Sequence, residues 1–149
     1  MGIKMKIEKF SIEQYDEIIE IWRKAGLSIG SSDTKEQVNR MLQRNPNLFL
    51  IGKVDEIIAG VVMGGFDGRR GYVHHLAVDP KYQKKGFGRL MMKELMKRFG
   101  EMGVHKVHLF IEKYNKEVIN FYQRLNWEIR DDLIMMSFIP DKKLYKIRI

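Results

Sequence analysis

The twelve residues "DPKYQKKGFGRL", 79 to 90, decide how the rest of the chain is read. Before them, "YVHHLAV" (72–78) alternates as a strand does. After them, Phe87, Leu90, Met91, Leu95, Phe99 and Met102 recur at the spacing of one helical stripe. The stretch is therefore a strand-to-helix loop, and it carries two glycines, Gly86 and Gly88, among three cations, Lys84, Lys85 and Arg89. The first amides of a helix lack intrahelical acceptors, and the aligned peptide dipoles place partial positive charge there. Glycine lets a ligand approach the backbone closely and permits φ values that other residues avoid. A phosphate or pyrophosphate is the natural occupant of such a loop. The dinucleotide fingerprint needs a third glycine and a P-loop needs Gly-Lys-Ser/Thr, so neither is implied.

Working outward, "IKMKIEKF" alternates Ile3, Met5 and Ile7 against charges and predicts a half-buried first strand. Ser11 with Gln14 forms a capping box for a helix whose face is Ile12, Tyr15, Ile18, Ile19 and Trp22, stopped at Gly26. Asp33 with Glu36 predicts a second capping box and a helix that ends before "NPN" at 45–47. "LFLIGKV" and "IIAGVVMGGF" predict two strands joined by a tight turn at Asp55 and Glu56, and "DGRRG" (67–71) turns the chain into "YVHHLAV". Beyond the central helix, "VHKVHLFI" predicts a strand, "NKEVINFYQRL" a helix and "WEIRDDLIMMSF" a final strand or hairpin. Antiparallel hairpins come first and a parallel βαβ unit follows, so the class is mixed α+β.

The 149 residues suit a single domain, 1–149, with 44% hydrophobic and 31% charged residues. No apolar run reaches the ~18–20 residues of a bilayer span, and "MGIKMKIEKF" lacks the apolar region of a secretory signal, so a cytoplasmic protein without a membrane partner is expected. The absence of cysteine excludes disulfides and thiolate metal sites. The net charge of +8 favours an anionic partner. Its lysines are scattered rather than gathered with stacking aromatics, which argues against specific nucleic-acid binding. His105 and His108, three apart on a strand, face opposite sides and cannot chelate one metal, and no metal is expected.

"LAVDPKYQKKGFGRLMMKEL" resembles the central motif of the GNAT superfamily of acetyl-CoA-dependent N-acetyltransferases, whose loop reads Arg/Gln-x-x-Gly-x-Gly/Ala. "NKEVINFYQRLNWE" resembles that superfamily's second motif, an Asn followed seven residues later by Tyr and then Leu-Gly-Phe. The two motifs are correctly ordered and separated by a strand. The resemblance runs from about residue 46 to 138 and is looser before that; "VMGGFDGRRG" further resembles a small bacterial branch of the superfamily. It implies the GNAT-like fold: a mixed, mostly antiparallel sheet splayed between its fourth and fifth strands and flanked by helices. It also implies acetyl-CoA as cosubstrate. Gln83, Lys84, Lys85, Gly86, Phe87, Gly88 and Arg89 would wrap its pyrophosphate, the backbone of Leu76, Ala77 and Val78 would pair with its pantetheine arm, and Asn115 would contact it from a helix N-terminus.

Acetyl transfer to an amine requires a deprotonated amine, a polarised thioester carbonyl and a proton for the departing thiolate. By the motif match Tyr122 supplies the proton. A phenol of pKa about 10 protonating a thiolate whose acid has pKa about 8.5 is uphill by about 2 kcal/mol, a cost acceptable when coupled to tetrahedral collapse. An alkylamine is almost fully protonated at neutral pH and needs a base, directly or through water. His74 is the first candidate, because "YVHHLAV" resembles the strand of arylalkylamine acetyltransferases, where a histidine at this position serves the proton path. Strict alternation places His74 with Leu76 and Val78, and His75 on the opposite face with Ala77. Glu112 is a second candidate. In ribosomal-protein N-terminal acetyltransferases a glutamate acts from the position of Phe110, a departure that counts against a ribosomal substrate. Asn126 replaces the glycine of the Leu-Gly-Phe corner and tolerates the left-handed conformation expected there.

The leading expectation is direct acetyl transfer in a ternary complex to a primary amine of a small molecule or peptide, by a monomer or homodimer. The alternative is a catalytically idle CoA-binding regulatory module, against which the Tyr122 phenol argues.

Overall fold

In the computed structural model, which describes residues 2–149, five strands form one sheet in the order β1-β2-β3-β4-β5. They are β1 (Lys6–Lys9), β2 (Phe49–Val54), β3 (Ile57–Phe66), β4 (Gly71–Val78) and β5 (Val107–Leu109). The first four pair antiparallel, and β5 lies parallel to β4. The middle of the sheet is apolar on both faces, as a strand covered on both sides must be: Phe49 and Ile51 of β2 face one core, Leu48 and Leu50 the other. Helices α1 (Tyr15–Lys24) and α2 (Lys35–Arg44) cover the first face through Ile18, Trp22, Val38 and Leu42. Helices α3 (Phe87–Glu101) and α4 (Lys116–Arg124) cover the second through Met91, Met92, Leu95, Phe99 and Tyr122. Among the described residues no helix is long and apolar enough to cross a membrane.

Four local expectations are corrected. The α3 stripe is rotated: Leu90 and Met102 are exposed, and Met92 is buried in their place. Thr34, whose side chain accepts from Gln37 N, caps α2. Asp33 is thereby released from the expected capping box with Glu36 and turns inward. The fifth strand keeps only three residues of "VHKVHLFI": its pairing with β4 runs over Gly71–Val73 and stops just before β4 shifts register against β3. The final strand or hairpin over 127–138 does not form: residues 127–149 contain no strand, and Ile134, Met136 and Phe138 are exposed. Arg130 grips Asp132 through two 2.9 Å bonds, closing a turn where extended backbone was expected. Met135 and Met136 are accordingly not strand residues. The chain end instead folds back on the loop before α2, where Ser31 N donates to Lys146 O (2.9 Å) and Ile149 N to Ile29 O (3.0 Å).

Candidate active site

The loop between β4 and α3 is anchored at both ends by aromatic rings. Tyr82 and Phe87 are buried with Val54 and Ala59, their rings 6.3 Å apart, so Phe87 contributes its side chain to the core and only its backbone to the loop surface. Asp79 starts the turn Pro80–Tyr82 by accepting from Lys81 N at 3.0 Å. Lys84 (φ 62°) and Gly86 (φ 83°) both sit in the left-handed region, the backbone state from which amide nests for anions are built. The amides from Lys84 to Arg89 have no backbone acceptor among the described residues; the first helical bond runs from Leu90 N to Gly86 O. Gln83, Lys84, Lys85, Gly86 and Arg89 are exposed, and no acidic residue lies in the first turn of α3. The loop is therefore a cationic run of donors without backbone acceptors, chemistry suited to a pyrophosphate.

The two glycines serve different ends. A Cβ on Gly86 would meet nothing within 4 Å, so glycine there answers to the positive φ and the open approach. A Cβ on Gly88 would lie 3.3 Å from Cζ of Phe121, so Gly88 lets α4 pack closely on the start of α3.

Leu76, Ala77 and Val78 lie beyond the point where β5 stops pairing, which leaves that edge of β4 without a strand neighbour. The Val78 carbonyl is held by Gln83 Nε2 at 2.8 Å. Asn115 caps α4, accepting from Val118 N at 3.4 Å, and is exposed. Two turns on, Tyr122 is buried between Phe121 and Trp127, ring centroids 5.0 and 5.6 Å away. Burial pushes the Tyr122 phenol up, so it stays protonated across any ordinary pH. Asn126 adopts φ 70°, as expected of the corner that ends α4.

A bulge overturns the alternation expected of "YVHHLAV". Met63 pairs with His74 but Val61 pairs with Ala77, so β4 holds one extra residue, and His75 takes it up at φ 50°. Val73 and Ala77 consequently face opposite cores, although strict alternation would align them. His74 is moved away from Leu76 and shares the α1/α2 side with Tyr72, 6.5 Å ring to ring. It lines a shallow depression of about 250 Å³ with Arg44, Asp67 and Tyr72. Burial, then the neighbouring His75, lower the His74 pKa against an opposing pull from Asp33, and His74 is neutral at pH 7. His75 also turns to that side: its Nε2 lies 2.8 Å from Asp33 Oδ1, its ring meets Trp22 edge-on at 4.9 Å, and its carbonyl accepts from Trp22 Nε1 at 3.3 Å. Burial opposes the Asp33 charge, but the bonds from His75 and from Gly30 N (2.9 Å) outweigh it and lower the pKa. The Asp33–His75 pair carried no sequence signal, since 42 positions separate its members. Glu112, the second candidate base, is exposed beyond β5.

A profile of the acetyltransferase (GNAT) family matches residues 14–127. The chain belongs to the GNAT family of acetyltransferases. An acetyltransferase of Yersinia pestis is 32% identical over 131 residues, covering 88% of this chain and 93% of the relative. One from Pectobacterium atrosepticum is 32% identical over 141 residues, covering 95% of this chain and all of the relative. The GNAT fold is likewise shared with the PaiA N-acetyltransferase of Thermoplasma acidophilum in complex with coenzyme A, at TM-score 0.78 and 20% identity over 87% of this chain and 92% of that one. The ribosomal-protein-S18-alanine N-acetyltransferase of Escherichia coli shares it at TM-score 0.69 and 17% identity, over 82% of this chain and 76% of that one. Gly88 of the loop packs on Phe121 of α4, and Leu76 of the β4 edge packs on the same core cluster as Tyr122, so the three candidate parts lie on contiguous elements.

Proposed function

We propose that this GNAT protein moves the acetyl group of acetyl-CoA directly to a primary amine of a small molecule or peptide, within a ternary complex. The observation that carries the reading is the run of unpaired amides from Lys84 to Arg89, flanked by Lys84, Lys85 and Arg89 and packed through Gly88 against the helix of Tyr122. Those amides and cations fit the pyrophosphate of the donor. The unpaired edge of β4 at Leu76–Val78 fits its amide-bearing arm, with Gln83 giving up the Val78 carbonyl as the arm arrives. Asn115 keeps its amide nitrogen free for the same ligand.

Tyr122 gives its proton to the departing thiolate. Burial makes the phenol a weaker acid, but it destabilises a thiolate in the same dry surroundings as well, so the transfer keeps its drive. A histidine of β4 removes the amine proton, and His74, neutral at pH 7, is the candidate that the sequence points to. No acyl-enzyme is required, in keeping with a chain that lacks cysteine.

A screen of alkylamines, polyamines, amino acids and peptide N-termini, read by thiol release from acetyl-CoA, tests the reading. Amine-dependent release with an N-acetylated product is expected. Tight acetyl-CoA binding without release on any amine would instead favour the idle CoA-binding module.

A further inference from the structure

We infer that His75, held by Asp33, is the group that takes the proton from the acceptor amine. The inference rests on the acetyl-transfer reading and reassigns one role within it.

Asp33 is 8% exposed and its carboxylate is engaged on both oxygens, Oδ2 by Gly30 N and Oδ1 by His75 Nε2. An ionised carboxylate only accepts, so the shared proton sits on His75 Nε2 and the lone pair is left on Nδ1. Nδ1 has no partner among the described residues and is not a sealed polar atom, while the side chain is 30% exposed. A base fixed in one tautomer, with an open nitrogen and a buried carboxylate behind it, is an arrangement for holding a proton that arrives at the open nitrogen. Protonation at Nδ1 turns the 2.8 Å hydrogen bond into an ion pair. His74 has no hydrogen-bonded carboxylate behind it: burial and the neighbouring His75 work against its charge, and Asp33 opposes them through space without a bond.

The frame around His75 is rigid where a base must not wander. The bulge at φ 50° turns its side chain to the α1/α2 face, Trp22 holds its carbonyl, and the turn bearing Asp33 is braced by Tyr15, whose hydroxyl donates to Asp33 O at 2.5 Å. The chain end closes the same turn through Ser31 and Lys146.

The steps balance. Nδ1 of His75 takes one proton from the acceptor ammonium, directly or through a water, and leaves a neutral amine. Its nitrogen lone pair forms the C–N bond at the thioester carbonyl carbon, and the C–S bond breaks as Tyr122 protonates sulfur. The second nitrogen proton restores the Tyr122 phenol, and the imidazolium of His75 returns its proton to solvent.

The test compares two minimal acceptors, ethylamine and 2,2,2-trifluoroethylamine, whose ammonium has already lost its proton at neutral pH. Thiol release from acetyl-CoA is measured for the wild-type enzyme, His75→Asn and Asp33→Asn. Asparagine is chosen at 75 because it tolerates the left-handed backbone. On ethylamine, turnover is expected to fall about a hundredfold for His75→Asn and about tenfold for Asp33→Asn. On trifluoroethylamine both variants should stay within about threefold of wild type, because no base is then needed. The rise in Tm caused by acetyl-CoA should be unchanged. Equal losses on the two amines would make the pair structural and overturn the inference. So would an unimpaired His75→Asn, or an amine-selective loss found in His74→Gln alone. A wild-type enzyme that binds acetyl-CoA but releases thiol with neither of these amines nor with any other amine of the acceptor screen would defeat the acetyl-transfer reading itself, and the inference with it.

Discussion

The loop that opens α3 and the bulge in β4 are close neighbours in the chain, yet they are built in opposite ways. The loop is made of consecutive residues: Asp79 starts its turn, Tyr82 and Phe87 anchor it, Lys84 and Gly86 bend it, and its amides are left without backbone acceptors. The bulge is made of distant ones. It brings His75 to Asp33, 42 positions away, and to Trp22, 53 positions away. A backbone site tolerates many side chains provided the bends survive, whereas a side-chain site depends on each partner. If the loop serves the donor and the bulge the acceptor, as proposed above, the donor half of the enzyme can stay generic while the acceptor half changes with the substrate.

The sharpest way to break this contrast is at Tyr122, the donor-side group proposed to do chemistry through its side chain. Tyr122→Phe is expected to lower kcat about a hundredfold, while the calorimetric affinity for acetyl-CoA stays near wild type. A matching loss of affinity would show that the phenol shapes the pocket rather than supplying a proton. A smaller effect sharpens the link between the two motif helices. Gly88→Val pushes a side chain toward Phe121 and should destabilise the fold by about 1–3 kcal/mol in urea unfolding. The exposed neighbour Arg89→Ala should shift stability by less than about 0.5 kcal/mol. Equal stability of the Gly88 variant would mean that α3 and α4 do not depend on that contact.

The same contrast explains what was legible in the sequence. Residues 79–90 announced a bent, cationic loop before a helix because every determinant lies inside the window: the turn residue, the glycine that needs φ 83°, and the cations. The hairpin turn at Asp55 and Glu56 was legible for the same reason, and so was the left-handed Asn126. The antiparallel hairpins and the parallel βαβ unit were legible too, from strand spacing and from the helix between β4 and β5. The faces of His74 and His75 were not legible, because alternation assumes an unbroken ladder and the inserted residue shows only in the pairing with β3. Asp33 looked like a helix cap because Asp, Thr and Glu in that order permit either start; Thr34 prevailed and freed the carboxylate for His75. The end of the chain misled because Leu133, Ile134, Met135 and Met136 are apolar like a strand but do not alternate, and nothing in the fold covers them.

The central claim is that the amides from Lys84 to Arg89 hold the diphosphate of the donor. The most direct measurement is a titration of 15N-labelled wild-type protein with coenzyme A, set beside Gly86→Asp, which combines a strained positive φ with a negative charge at the loop. The largest amide shifts are expected on residues 84–89, and the variant should lose them together with binding. Coenzyme A shifts centred on another part of the surface, or full binding by Gly86→Asp, would contradict it.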